Sequence, residues 1–333
     1  EILIGLVGSE MCIRDRIKKG LDINLKGKAS DVLLNGGKSE SYAIVPDYYN
    51  GILPKVVAKV GEKVKAGSVL MIDKNRPEIK FVSPVSGEVT AVNRGEKRKV
   101  LSIVVKPDAQ IEYEEFGKKN VASLQGAEVK EVLLNAGMWP FIKQRPYDIV
   151  AAPLDTPRDI FVSAFYSAPL APNFDFIVKG QEADFQTGLN ALAKLTNGKV
   201  YVGVRSGSVV SGMKGVEIVE VEGPHPAANV GVQINHIKPV NKGEVVWTVN
   251  PADVIVIGRL FNKGVADFSR MVAITGSETT ERGYVKTISG CTIKSLVNGK
   301  VLGQEHIRII SGNVLTGTKV NMDGYLGAYD NQI

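Results

Sequence analysis

Two strings of regularly spaced glycines and aliphatic residues constrain the fold of this chain more than any other feature. The first runs from Gly61 to Leu70 with the spacing GxxVxxGxxL, and the second, SPxxGxV, runs from Ser83 to Val89. Glycines permit the backbone angles of tight hairpin corners, and alternating aliphatic residues fill one face of a short strand. The pair therefore predicts a small β-sandwich in the first third of the chain.

The same two strings resemble the flattened β-barrel of lipoyl and biotinyl carrier domains. A working carrier needs a lysine that can be acylated at the tip of the hairpin between them. Where lipoyl domains carry that lysine, this chain has Arg76, and Lys74 is two residues away. The resemblance implies a carrier-like scaffold without a prosthetic arm over residues 17–106.

The first sixteen residues, EILIGLVGSEMCIRDR, differ in character from the rest of the chain. A signal peptide needs a basic start and a longer apolar stretch than the one from Ile2 to Val7. The segment resembles a translated sequencing-adaptor artefact. We therefore expect residues 1–16 to be a foreign, poorly ordered leader, with a genuine N-terminal strand as the alternative.

Beyond about Val121 helical periodicity alternates with strands. One helix is predicted around Val129 and ends before Gly137, and a second is predicted from Gln181 to Leu195. The second lies between predicted strands at 160–164 and 199–204. A β–α–β rhythm indicates a parallel sheet, so we predict a Rossmann-like α/β domain over residues 107–250.

From about Pro251 the pattern returns to strands with one short helix. Strands are expected at 270–275, 284–290, 308–311 and 318–321, and the helix at 292–297. One helix against a few strands fits a small β-grasp domain of the SLBB kind over residues 251–330. The predicted fold class is thus a multidomain α+β and α/β chain of three units: a carrier-like β barrel-sandwich, a Rossmann-like domain and a β-grasp.

The sequence offers little to hold a cofactor or a metal. Cys12 and Cys291 are too few for a four-cysteine iron–sulfur or zinc site. There is no G-x-G-x-x-G motif, and Met213 stands where the lysine of a P-loop beginning at Gly207 would be needed. We expect no flavin, no iron–sulfur cluster and no metal in this chain, and we interpret the Rossmann-like layer as a structural or docking layer.

Two stretches carry candidate binding chemistry. Trp139, Phe141 and Arg145 lie in an aromatic, proline-broken run, and quinones bind between flat apolar walls with donors to their carbonyls. His225, between two prolines, is a candidate proton or carbonyl partner because imidazole titrates near neutral pH. The alternatives are a linker that packs its aromatics between domains and a turn whose histidine caps backbone groups.

Most of the excess positive charge, +6 overall, lies between Arg16 and Lys106. It indicates either solvated surface lysines or a face toward anionic partners or phospholipid headgroups. Nucleic-acid binding is not expected, because no motif with interleaved aromatics accompanies the scattered lysines. Apolar runs such as 254–257 fall far short of the roughly 20 residues of a spanning helix, so membrane association is expected only through partners.

Several strings together resemble one family, the A subunits of the sodium-translocating NADH:quinone oxidoreductases. They are IKKGLDI at 17–23, NRGEKR at 93–98, GMW at 137–139 with RP at 145–146, GPHPA at 223–227 and RIISGNVLTG at 308–317. The resemblance runs from Ile17 to the end of the chain. Family members continue into a largely helical C-terminal region, so we expect this chain to be a fragment.

The resemblance implies a peripheral protein of the cytoplasmic face of the bacterial inner membrane, not catalytic by itself. Its partners would be the membrane and peripheral subunits of a complex that passes electrons from NADH to ubiquinone or another quinone and exports sodium. Quinone is the candidate ligand. Two hypotheses from other classes stay open: a lipoyl- or biotinyl-type carrier or accessory scaffold without a redox role, and a free-standing NADH-flavin enzyme.

Overall fold

The computed structural model describes residues 13–303 and 307–333. In chain order its strands are β1 Ile13–Arg16, β2 Leu33–Leu34, β3 Tyr42–Ile44, β4 Pro54–Val56, β5 Lys63–Val64, β6 Val69–Asp73, β7 Lys80–Val82, β8 Gly87–Arg94, β9 Val100–Pro107, β10 Ile142–Arg145, β11 Ile149–Val150, β12 Ile160–Ser163, β13 Val200–Val204, β14 Glu217–Glu222, β15 Val246–Val249, β16 Ser269–Ile274, β17 Gly283–Ile288, β18 Ile309–Ser311 and β19 Thr318–Val320. The α-helices are α1 Gly126–Asn135, α2 Phe174–Val178, α3 Glu182–Ala193, α4 Val230–Ile237, α5 Pro251–Lys263 and α6 Ile293–Val297.

The first unit has the predicted sandwich of two small sheets. One has the order β3-β9-β8-β5 and the other β4-β6-β7. Leu70 and Val89, from the two diagnostic strings, are fully buried in the core between these strands. Gly87 has φ +156°, and a Cβ there would lie 1.9 Å from the carbonyl oxygen of Lys106. Glycine is therefore required at the start of β8, which lies opposite the end of β9.

The hairpin tip between β6 and β7, where a carrier holds its lysine, is fixed to the neighbouring unit by Arg76. Its guanidinium donates to the carboxylate of the buried Asp73 at 2.7 Å, and to the carbonyl oxygens of Val150 at 3.0 Å and Gly51 at 2.9 Å. Val150 belongs to the sheet of the second unit. A tip held in this way cannot swing as a carrier arm must.

The second unit is the predicted Rossmann-like α/β domain. Its sheet has the order β1-β14-β13-β12-β15-β10-β11. The first five strands in this order run parallel, and β10 and β11 are antiparallel additions. One face packs against α3 and α5, and the other against α4 and the segment around Ile17. Both faces are covered, as parallel sheets require.

The last four residues of the predicted leader take part in the fold. Ile13–Arg16 forms β1, which pairs in parallel with β14 at the edge of the sheet. The expectation of poor order therefore fails for these four residues, while that of a foreign leader stays a prediction. The backbone of β1 completes hydrogen bonds that β14 would otherwise leave open. The remainder of the leader prediction, at residues 1–12, lies outside the described residues.

The sequence-based prediction of only one short helix after Pro251 is wrong, because α5 begins at Pro251 and runs to Lys263. The Val/Ile run at 254–257 favours a strand by propensity, but nearly the whole helix is buried, and burial overrides that preference. The helix signals were present: Asn250 caps the first turn, Pro251 opens it and Gly264 ends it at φ 77°.

Two glycines allow α3 and α5 to cross at close range. A Cβ at Gly258 would lie 1.7 Å from the carbonyl oxygen of Asp184, and one at Gly188 would lie 2.1 Å from that of Val254. These clashes are with helix backbone, which cannot move aside as a flexible side chain can. The crossing fixes both helices against the central strands of the sheet.

The third unit follows the predicted pattern of strands and one short helix. Its sheet has the order β16-β17-β2, and β18 pairs with β19. Val272, Val285 and Leu296 form its core with α6. The pairing of β2 with β17 brings residues 33–34 into this sheet, and no local sequence pattern predicts so distant a contact.

A buried ion pair connects the second and third units. The Nη2 atom of Arg270 on β16 donates to Oδ1 of Asp253 on α5 at 2.8 Å, and both side chains are almost wholly inaccessible to solvent. Such a pair is costly to desolvate and strongly destabilising to break, so it specifies how the units meet.

Replacing Gly258 by alanine is expected to lower the free energy of unfolding by about 1–3 kcal/mol, because the new methyl group pushes α5 away from α3. Gly212→Ala is the matched control, since a Cβ there meets nothing within 4 Å. Urea denaturation of both variants checks this. Equal stability of the two would contradict the close crossing.

Candidate functional site

The sheet has a switch point between β12 and β15. Chain order runs from β12 outward through β13 and β14, and then returns to β15 on the other side of β12. The loops that follow β12 and β15 therefore leave in opposite directions, and a crevice opens at the carboxyl ends of these strands. Open α/β sheets bind their ligands in such crevices.

The crevice has a volume of about 490 Å³. It is lined by Phe141, Lys143, Arg145, Asp148, Ser163, Phe165, Tyr166, Ala228, Asn229, Val230, Gly231, Val232, Thr248, Val249, Asn250, Pro251 and Tyr329. Four of these residues are aromatic and two are cationic. Flat apolar walls with a few polar groups are the usual lining of a small-molecule site.

The two cations come from β10. Residues two apart on a strand share a face, so Lys143 and Arg145 both point to the crevice while Gln144 between them is buried. Lys143 lies over the Tyr329 ring, with its Nζ atom 3.9 Å from the ring centre. The Asp148 carboxylate lies 4.0 Å from Nζ of Lys143 and 3.4 Å from Nη2 of Arg145, so it balances part of their positive charge.

Arg145 has one nitrogen without a partner among the described residues. Its Nε atom is buried and makes no hydrogen bond within the described part of the chain. A buried donor of this kind is costly unless something accepts from it. Helix α4 begins beside the same guanidinium, at Val230. The mouth of the crevice is therefore rich in donors.

A hydrogen-bond network positions the aromatic walls. Tyr166 donates to the side-chain oxygen of Asn250 at 3.0 Å and accepts from the side-chain nitrogen of Asn331 at 2.9 Å. The side chain of Asn250 donates to the carbonyl oxygen of Tyr329 at 3.1 Å, and the Tyr329 hydroxyl donates to the carbonyl oxygen of Pro140 at 2.6 Å. These hydrogen bonds fix the positions of the Tyr166 and Tyr329 rings.

The network ends at the buried ion pair. Arg270 also reaches the side-chain oxygen of Asn331, at 3.5 Å. Burial raises the pKa of Asp253 to about 6, and the charge and hydrogen bond of Arg270 oppose this only in part. Burial likewise raises the pKa of Tyr166 and Tyr329. Both phenols are therefore neutral at physiological pH.

The structure brings together two of the four predicted site residues. Phe141 and Arg145 both line the crevice. Trp139 does not, because its side chain is fully buried, its indole nitrogen donates to the carbonyl oxygen of Ala151 at 2.8 Å, and its ring packs edge-to-face on Trp247. In this structure Trp139 is a core residue behind the site.

His225 lies away from the crevice. Its ring Nδ1 is 3.1 Å from the Ser167 hydroxyl, its backbone N–H donates to Asp22 at 2.8 Å, and its carbonyl oxygen accepts from Leu21 at 2.8 Å. These contacts are those of a turn that binds the N-terminal segment. Ser167 belongs to a second, larger cleft of about 640 Å³, on the other side of Phe165 and Tyr166.

Phe165, Tyr166 and Tyr329 are crevice residues that the sequence-based prediction missed. The available signal was the loop directly after β12, one of the two strands at the switch point. The turn after Val204 on β13, which lacks the glycines of a nucleotide site, is not at the switch point. Tyr329 is distant in sequence, and no local pattern indicates that it reaches the crevice.

Metal ligands and spanning helices are both absent from the described residues. Across 13–303 and 307–333, no three His, Cys, Asp or Glu side chains come together as metal ligands. Within the same ranges, no helix has the length and apolarity needed to cross a membrane.

Three family profiles match consecutive parts of the chain. The profile described as the NqrA N-terminal barrel-sandwich hybrid domain matches residues 16–108. The NqrA second alpha/beta domain matches residues 124–266, and the NQRA C-terminal domain matches residues 271–322.

Curated relatives agree with these profiles along nearly the whole chain. The A subunit of the Na(+)-translocating NADH-quinone reductase of Neisseria meningitidis serogroup A is 36% identical over 323 residues, which cover 96% of this chain and 72% of the relative. The corresponding protein of Hahella chejuensis is 37% identical over 324 residues with the same coverage. That of Yersinia pseudotuberculosis is 35% identical over 323 residues, again with 96% and 72% covered.

The raised pKa of Asp253 predicts how stability changes with pH. The folded carboxyl holds its proton up to about pH 6, whereas an unfolded aspartate releases it near 3.9. The stabilisation that the raised pKa of Asp253 gives to the folded state is therefore complete below about pH 4, and it is lost as the pH rises through 6. Relative to Asp253→Asn, the wild-type chain is expected to lose about 2–3 kcal/mol between pH 4 and 7. Urea denaturation at both pH values measures this, and a difference that does not change with pH would contradict it.

Proposed function

Since this chain belongs to the family of the Na(+)-translocating NADH-quinone reductase A subunits, we propose that it serves the sodium-pumping complex by binding quinone in the aromatic crevice. It is one component of that oxidoreductase complex and acts with its partners. Its share of the work would be to hold quinone while the complex reduces it and exports sodium.

The observation that carries the proposal is the meeting of aromatic walls and cationic donors in one crevice. Phe141, Phe165 and Tyr166 offer flat surfaces to a quinone ring. Lys143 and Arg145 offer N–H donors at one side of it. Reduction places negative charge on the carbonyl oxygens, and preformed cations stabilise that charge more strongly than they stabilise the neutral quinone.

The electrons would come from other subunits. At the switch point, dinucleotide-binding proteins use glycines so that the backbone can approach a pyrophosphate. Here the loop after β12 has no glycine and instead carries Phe165 and Tyr166, which line the crevice. With Cys291 buried and thiol ligands so few in the sequence, we infer that this chain holds no flavin and no iron–sulfur cluster of its own.

We further propose that the protein sits peripherally on the cytoplasmic face of the membrane complex. The support is its family and the resemblance of its sequence strings to that family. The carrier hypothesis is disfavoured, because Arg76 holds the hairpin tip that a carrier arm would need to move.

Filling the crevice should weaken quinone binding. Gly231 faces it from α4, and a Cβ there would meet only the Arg145 guanidinium, at 3.7 Å. Gly231→Phe is expected to weaken ubiquinone-1 binding to the purified chain by about tenfold or more, which corresponds to about 1.4 kcal/mol. Arg145→Met should weaken it by a similar factor, since a hydrogen bond from a charged donor is worth about 1.5–3 kcal/mol.

Equilibrium dialysis of each variant measures the affinity, and the KM for quinone of the reassembled complex provides a second readout. Gly212→Phe is the matched control, because position 212 opens to free space away from the crevice. If Gly231→Phe and Gly212→Phe bind quinone equally well, the crevice is not the quinone site.

A further inference from the structure

A segment near the N-terminus, extended between Gly20 and Leu25, is exposed over most of its length. This segment, residues 18–28, is called the strap. Among its apolar side chains, Leu21 is 70% exposed, Ile23 is 43% and Leu25 is 44%. Alternate residues of an extended chain share a face, so these three form one apolar row. Three large apolar side chains in one exposed row are typical of a surface that another molecule covers.

Within the part of the chain that the structure describes, the strap is anchored only near its ends. The backbone N–H of Leu21 donates to the carbonyl oxygen of His225 at 2.8 Å, and the carboxylate of Asp22 accepts from the backbone N–H of His225. At the other end, the carbonyl oxygen of Gly27 accepts from Gly276 at 2.8 Å. Between these anchors, Ile23 to Lys26 makes no hydrogen bond within the described part of the chain. Four consecutive residues therefore have open backbone donors and acceptors.

The strap borders the cleft of about 640 Å³. Ile23 and Leu25 lie on one side of that cleft, and the loop 164–175 lies on the other. The open backbone of the strap therefore has room beside it for another extended segment.

Lysines flank the apolar row. Lys18, Lys19, Lys26 and Lys28 are all exposed, and none forms an ion pair with the residues that the structure describes. The nearby acids are already engaged: Asp22 accepts from His225, and Asp31 accepts from Asn173 at 2.8 Å. The strap thus presents net positive charge at both ends of an apolar centre.

Open backbone groups decide between a lipid surface and a protein as the occupant. Burying the apolar row in a bilayer would also dehydrate amides that have no partner in the described chain, at a cost of several kcal/mol for each group. An extended polypeptide supplies matching donors and acceptors by pairing as a β-strand. The strap therefore fits a protein better than it fits a membrane.

We propose that the strap is a docking edge, along which an extended segment of another component of the complex pairs as a β-strand. Its partner segment carries apolar side chains opposite Leu21, Ile23 and Leu25, and acidic residues at both ends. This proposal rests on the membership of the chain in the multisubunit reductase. It is independent of the quinone crevice.

The sharpest test removes one backbone N–H. Asn24→Pro deletes an amide that makes no bond within the described chain, and Asn24→Ala keeps it. Proline is compatible with an extended path, so both variants should unfold at the wild-type temperature. Binding is measured between the purified chain and the detergent-solubilised complex that lacks it. Asn24→Pro is expected to weaken binding by about tenfold or more, and Asn24→Ala to leave it unchanged.

A second test changes a side chain of the strap. Leu25→Asp should also weaken binding to the complex about tenfold. Leu154→Asp, at a position outside the strap that is 93% exposed, should not. Both strap variants should keep the wild-type affinity for ubiquinone-1, which separates this proposal from the quinone site. Wild-type binding to the complex by both Asn24→Pro and Leu25→Asp would overturn the proposal. Strap-dependent sedimentation with phosphatidylglycerol vesicles would overturn it in favour of a lipid.

Discussion

The buried ion pair of Asp253 and Arg270 is the contact on which the geometry of the crevice depends. It lies between α5 of the second unit and β16 of the third, and its atoms are shielded from water. Asn331, beside the pair, holds Tyr166 in place. Removing Arg270 would leave the Asp253 carboxylate buried without its counter-charge, a loss of about 3–5 kcal/mol. The walls of the crevice would then lose their common support.

Other contacts bring the three units to this pair. The glycine crossing sets α5 against the sheet, and Arg76 fastens the sandwich to β11. Strand β2 carries the early chain into the third unit. Each of these contacts joins residues far apart in sequence. The crevice is therefore a product of the assembled chain, and residues from the second and third units share its lining.

Local patterns in the sequence were enough to predict the three units and several of their elements. Glycine spacing indicated the sandwich, and the apolar periodicity of 181–195 indicated α3. Local patterns failed where burial competes with propensity, as in α5, whose β-branched run resembles a strand. They also failed for long-range pairing, as in β1 and β2. For the candidate site, they indicated Phe141 and Arg145, which both line the crevice, because both stand in one aromatic run. They could not indicate that Trp139 points into the core, since Trp139 lies in the helical turn before β10 and the packing of that turn against the sheet is a tertiary property.

The central claim is that quinone meets this protein between β10 and the switch point. Photo-crosslinking of a quinone analogue to the assembled complex, followed by peptide mapping, tests it most directly. We expect labelled peptides to contain Phe141 or Arg145 from the β10 region and Phe165 or Tyr166 from the loop after β12. Labelling confined to other subunits, or to peptides of this chain outside the crevice, would contradict the claim.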